Sequence, residues 1–136
     1  MRVILDTNVF VSGVFWDGPP NRILKAWITG KINLVLSLEI LEEYQRIGHG
    51  LSLKYPLIDF PQVLTTLEGN AEIVNSPRHH IRVCEDPDDD KFFSCAIIAQ
   101  VPWIVSGDKH LLKVSNYHGV QVVKPKEFLI RHPPKS

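Results

Sequence analysis

The residues of this sequence that could do chemistry are acidic and widely separated. Asp6 directly follows the apolar run Val3-Ile4-Leu5, and Asp108 follows Trp103-Ile104-Val105 after only Ser106-Gly107. Residues 85–90 read Glu-Asp-Pro-Asp-Asp-Asp, and Glu43 lies in LVLSLEILEEY at 34–44. Carboxylate oxygens are hard donors, and a set made of them alone suits Mg²⁺ or Mn²⁺, which keep several waters and often bind together with a phosphate substrate. An ion held this way lowers the pKa of a bound water and stabilises both the attacking and leaving oxygens of a phosphodiester. Metal-assisted phosphodiester hydrolysis is the reaction class these residues predict.

Each acid also has a plainer reading. Asp6-Thr7-Asn8 could be an ordinary turn that uses Asp or Asn for its own hydrogen bonds. On a helix with Ile40 at 0°, Tyr44 falls near about 40°, Ile47 near 340°, Glu43 near 300° and Glu42 near 200°. Glu43 therefore borders the apolar face while Glu42 points to solvent. An unpaired charge at that border is costly, so a salt bridge to a Lys or Arg is the simple alternative. The run Asp86-Pro87-Asp88-Asp89-Asp90 could cap the helix that follows it. One or two Asp would do that, and three consecutive acids repel one another unless a cation sits there.

Other motifs fail on their own terms. Asp86, Asp88 and Asp90 imitate the start of an EF-hand loop, but Lys91 stands where the loop needs Gly and Ile97 where it needs Glu. An aspartyl-phosphate phosphatase of the haloacid dehalogenase type would need a second Asp where Asn8 stands. Neither GxGxxG nor GxxxxGK[ST] occurs among the eight glycines.

The elements that must position these acids follow from hydrophobic patterning. Runs of strand length occur at Val3 to Leu5, Ile32 to Leu36, Trp103 to Val105 and Val120 to Val123, with a weaker one at Glu72 to Val74. Pro19-Pro20 opens a helix through Ile23, Leu24, Trp27 and Ile28 that stops at Gly30. Ser37 caps the next, with Ile40, Leu41, Tyr44 and Ile47 on its apolar face and Gly48-His49-Gly50 at its end. Pro56 to Leu67 is a further helix, broken near its start by Pro61. Phe92, Cys95, Ala96 and Ala99 mark a helix apolar on most sides. Alternation of helices with nearly continuous apolar strands predicts a parallel sheet of about five strands covered on both faces. Ligands of such sheets bind beyond the carboxyl ends of the strands, where Asp6 and Asp108 stand.

The 136 residues fit a single domain over 1–136, with 131–136 as a loose tail. Fifteen basic residues balance fifteen acidic ones, so no overall field draws the chain to duplex DNA or an anionic membrane. The balance is local: Lys109, Lys113, Lys124, Lys126, Arg131 and Lys135 face only Glu127 after residue 108, in contrast to the acidic run at 85–90. Cys84 and Cys95 lack metal or disulfide spacing and read as reduced thiols, Cys95 in the core. No secretion signal or membrane-length apolar segment is present, so a cytoplasmic protein is expected.

Four motifs together resemble the PIN domain: LDTNVFVSG at 5–13, LVLSLEILEEY at 34–44, EDPDDDKFF at 85–93 and IVSGDKHLL at 104–112. The nearest branch is that of toxins in bacterial toxin–antitoxin pairs, and the resemblance runs from residue 2 to about 130. It implies a three-layer α/β/α sandwich with a mostly parallel, twisted sheet. It also implies a Mg²⁺- or Mn²⁺-dependent ribonuclease leaving 5′-phosphate and 3′-hydroxyl ends, an antitoxin partner and a homodimer. By position, Asp6 matches the first acid, Glu43 the second and Asp108 the fourth. Counting back from Ala96 selects Asp89 as the third, with Asp90 one residue away. Asp6, Asp89 and Asp108 would hold metal, and Glu43 would bind a second ion or orient the attacking water. Ser106 matches a hydroxyl position that could orient Asp108, and Asn8 an Asn that supports the first acid. Two departures stand out: His110 where relatives often place another acid, and Gly48-His49-Gly50 in a helix that commonly runs longer.

Outside the acids, Trp16 could stack on an RNA base beside the site, and Lys91 and Lys109 could contact phosphates. The plainer readings are packing for Trp16 and solvated charge for the lysines; His79 and His80 read as surface residues. The rival functions are an RNA-binding or interaction module that keeps the fold without catalysis, and an RNA-maturation or flap nuclease. A filled set of repulsive acids speaks against the first.

Overall fold

A computed structural model describes residues 1–75, 84 and 86–133. Among them the five apolar runs form strands β1 (Arg2–Leu5), β2 (Asn33–Ser37), β3 (Glu72–Val74), β4 (Trp103–Val105) and β5 (Gln121–Val123). All four neighbouring pairs are parallel, in the order β3-β2-β1-β4-β5. Val3, Ile4, Leu34, Leu36, Ile104 and Val105 are all buried, as continuous apolar strands covered on both faces should be.

Parallel neighbours require crossovers, and helices supply them. Helices α1 (Thr7–Phe15) and α2 (Pro19–Ile28) join β1 to β2, and α3 (Leu38–Lys54) and α4 (Phe60–Asn70) join β2 to β3. Helix α5 (Asp90–Ala99) precedes β4, α6 (Lys109–Lys113) precedes β5, and α7 (Pro125–Arg131) packs on α2. Right-handed crossovers then set α1 to α4 on one face and α5 and α6 on the other, the expected three layers. The chain moves outward from β1 through β2 to β3, then returns to lay β4 on the opposite side of β1. The strand order reverses at β1 and β4, and a crevice opens beyond their carboxyl ends.

Several local expectations need correction. The stretch after Asp6 is no turn: it starts α1, whose Val9-Phe10-Val11 run is buried. Helix α3 does not stop at Gly48-His49-Gly50 but continues to Lys54. Gly48 is there because the Phe60 ring of α4 lies on it, so close that a Cβ would fall 1.9 Å from Phe60 Cζ. Pro61 breaks nothing, because α4 begins at Phe60 and a first-turn proline lacks only an N–H that has no partner. Arg131, expected in a loose tail, ends α7 and pairs with Glu127 at 2.6 Å. Residues 134–136, His79 and His80 lie outside the described residues.

Gly48→Ala is therefore expected to lower stability by about 1–3 kcal/mol through overpacking, even though Ala favours a helix by about 1 kcal/mol over Gly. Urea unfolding of the two proteins measures the difference. An Ala variant more stable than wild type would mean that Phe60 can withdraw.

Among the described residues no helix is long and apolar enough to cross a membrane. Cys84 and Cys95 are free. Burial pushes both thiols up to about 12, which leaves little thiolate and makes them unreactive at neutral pH.

Candidate active site

Asp6 ends β1 and begins α1. Its N–H extends the β1–β4 ladder by donating to the Val105 carbonyl at 3.0 Å. One carboxylate oxygen accepts from the Val9 N–H at 2.8 Å as the cap of α1, and the other accepts from the Ser106 hydroxyl. Ser106 Oγ in turn accepts from the Asp108 N–H at 3.0 Å, and Asp108 caps α6 by accepting from the His110 N–H at 2.7 Å. One buried hydroxyl thus ties the end of β1 to the end of β4. Its proton goes to Asp6, and its oxygen meets Asp108 at the backbone N–H.

Glu43 enters from α3, half-buried as the helical arithmetic requires, while Glu42 is exposed. Its Oε1 accepts from the Thr7 hydroxyl and its Oε2 from Lys91 Nζ at 2.6 Å. The salt bridge that Glu43 called for therefore exists: its close partner is Lys91 of α5, and Arg46 of α3 adds a longer contact at 3.8 Å. Lys91 Nζ also lies 3.0 Å from Asp88 Oδ2 and donates to the Asp88 carbonyl at 2.8 Å. With its side chain only 4% exposed, Lys91 is neither a solvated surface charge nor a group free to meet a phosphate.

The acidic run divides its labour. Asp86 accepts from the Asp88 N–H at 3.0 Å at the start of a 3₁₀ turn over Pro87–Asp89 that leads into α5. Asp90 is buried and accepts from the Cys84 N–H at 2.7 Å. Asp89 precedes α5 without a side-chain capping bond and lines a cleft of about 270 Å³ together with Asp6, Asn8, Glu43 and Asp108.

Burial raises the Asp6 pKa from 3.8 to about 6, and repulsion from Asp108 and Glu43 outweighs part of the help from Ser106 and Val9. Asp89 is likewise raised to about 6 by burial first and then by Asp108 and Asp86. Asp88 goes the other way, held low by its bond to Lys91. Carboxylates that resist ionisation this way favour any cation that joins them. The donor chemistry of the cleft, carboxylates without thiol or imidazole, fits Mg²⁺ or Mn²⁺. Among the described residues no three acidic, thiol or imidazole side chains already stand as a cage for an ion.

Residues 2–110 match the PIN domain family, a span that includes all four acids. This chain belongs to the PIN domain family. It is also 31% identical over 141 residues to Uncharacterized protein MJ1680 of Methanocaldococcus jannaschii, covering 95% of this chain and 90% of that protein. PIN domains are generally nucleases that hydrolyse phosphodiester bonds, typically with divalent ions such as Mg²⁺ or Mn²⁺, and a PIN nuclease domain implies an RNA substrate.

In this PIN domain Asn8 is exposed on the wall of the cleft, and Lys109 is exposed in the first turn of α6. Trp16 is not beside the acids: it follows the last residue of α1, about 13 Å along the helix from Thr7, and packs edge-on against Tyr55. Two cleft residues escaped sequence reasoning, Thr7 and Arg46. Arg46 was recoverable, since three residues beyond Glu43 is the same side of a helix.

Proposed function

We propose that this chain is a Mg²⁺- or Mn²⁺-dependent endoribonuclease, working in the cytoplasm as the toxin of a toxin–antitoxin pair and as a homodimer. The observation that carries the catalytic reading is that five acids from four separate segments line one cleft at the point where the strand order reverses. Asp6, Asp89 and Asp108 would hold the ion, which when bound supplies a Lewis acid for a phosphodiester and a nucleophilic water. Ser106 and the Val9 N–H aim Asp6, and the His110 N–H aims Asp108. Glu43, fixed by Thr7 and Lys91, orients the attacking water by accepting its hydrogen bond. Water attacks phosphorus, the bond to O3′ breaks, and the products carry a 5′-phosphate and a 3′-hydroxyl. The toxin assignment is supported by the four motifs and their resemblance to that branch.

The test is to incubate purified protein with mixed-sequence single-stranded RNA and Mn²⁺ and to map the new ends. Ends with 5′-phosphate support the reading. Cyclic 2′,3′-phosphate ends would refute metal-assisted attack by water, and no cleavage of any RNA would favour the non-catalytic module. Growth arrest on expression, relieved by a small neighbouring gene, is the outcome the toxin role requires.

A further inference from the structure

Lys91 is the one buried cation among the described residues, and it sits against the acidic cleft. We infer that its ammonium is a built-in second cation of the active site, which positions Glu43 and leaves the cleft one divalent ion, carried by Asp6, Asp89 and Asp108. This rests on the nuclease reading above and supplies the reason Glu43 serves the water there instead of a second metal.

The geometry argues in three steps. An ammonium has three N–H donors, and those of Lys91 are matched by Glu43 Oε2, Asp88 Oδ2 and the Asp88 carbonyl at 2.6, 3.0 and 2.8 Å. None is left to reach for a phosphate, so its work is done on protein carboxylates. Second, a divalent ion bound to Glu43 Oε2 at about 2 Å would stand within about 5 Å of the Lys91 nitrogen, with little water to screen the repulsion. Lys91 thus already occupies the Glu43 oxygen that a second ion would need.

Third, the acids count out. Asp6, Glu43, Asp88, Asp89 and Asp108 line the cleft, and Lys91 engages Glu43 and Asp88. The three that remain are Asp6, Asp89 and Asp108, which come from the ends of β1 and β4 and the start of α5. Three carboxylates with several retained waters are an ordinary complement for one Mg²⁺ or Mn²⁺. Lys91 is then a positioning residue: with Thr7 on Oε1 and Lys91 on Oε2, Glu43 has one orientation toward the water it serves.

The experiment counts ions instead of measuring turnover. Mn²⁺ calorimetry on the full chain should give one ion per wild-type chain, with the electron paramagnetic resonance spectrum of an isolated Mn²⁺. Lys91→Met, similar in length and uncharged, should bind two ions with a spin-coupled spectrum, because Asp88 loses Lys91 and Glu43 keeps only the exposed Arg46, 3.8 Å away, so both can turn to the second. Lys91→Met combined with Glu43→Gln should return to one. Two ions in wild type, or one in Lys91→Met, would overturn the inference. Should Lys91→Met fail to fold, the wild-type count and spectrum decide alone. A wild type that binds no Mn²⁺, alone or with a short single-stranded RNA, overturns the metal-dependent reading itself and is distinct from a count of two.

Discussion

Asp6→Asn should lower RNA cleavage by about 10³-fold and make the protein more stable at pH 7. The loss follows because Asp6 is the most enclosed acid of the cleft, 4% exposed, and an amide offers an ion no charge. The gain follows from linkage. With its folded pKa near 6 and its unfolded value near 3.8, Asp6 binds more protons folded than unfolded between those pH values. The contribution of this group to stability therefore falls as pH rises through that window, and above about pH 6 the buried charge costs up to about 3 kcal/mol. Asn keeps an oxygen to accept from the Val9 N–H, so the cap of α1 survives. Calorimetric scans in chelator should show the variant unfolding several degrees higher at pH 7 to 8, with the gap closing toward pH 4. A variant less stable than wild type at pH 7 would make Asp6 a structural fixture. Lost turnover together with gained stability is the signature of a residue kept for function.

Chelation should abolish cleavage, and Mn²⁺ or Mg²⁺ should restore it and stabilise the fold. An ion at about 100 times its dissociation constant adds about 2.7 kcal/mol. The pH dependence is the sharper part, because Asp6 and Asp89 both titrate near pH 6 and an ion must displace their protons. Below that pH the affinity should rise by about tenfold per pH unit for each proton displaced, up to about a hundredfold for both, and level off above pH 7. Mn²⁺ calorimetry at several pH values between 5 and 8 reads the slope. A flat affinity across the range would remove Asp6 and Asp89 from the ligand set.

Much of the architecture was legible because strands of a parallel sheet are buried on both faces and so appear as uninterrupted apolar runs. The strands fall within a residue or so of where those runs predict them. Helix α1 was hidden for a related reason: Val9-Phe10-Val11 is too uniformly apolar to display a period of 3.6, and the polar Asp-Thr-Asn before it reads equally well as a turn. Gly48 was misread because glycine marks a helix end or a close contact with the same letter. The contact that decides between them, the Phe60 ring, lies twelve residues away in sequence.

The amino-acid order by itself determined the layered α/β class, the placing of Asp6 and Asp108 at strand ends, and the edge position of Glu43. Each depends on local periodicity, which a linear text records. Tertiary structure alone decided how the charges are shared. Asp90 is taken up by the Cys84 N–H and Asp89 is left to the cleft, although the two are neighbours in the same acidic run. Lys91 is buried against Glu43, forty-eight positions earlier, and Ser106 gives its proton to Asp6, a hundred positions earlier. Those choices depend on which groups the sheet order brings within hydrogen-bonding distance once water is gone. Burial is what turns a surface lysine or a spare aspartate into a fixed charge, and only the assembled fold sets burial.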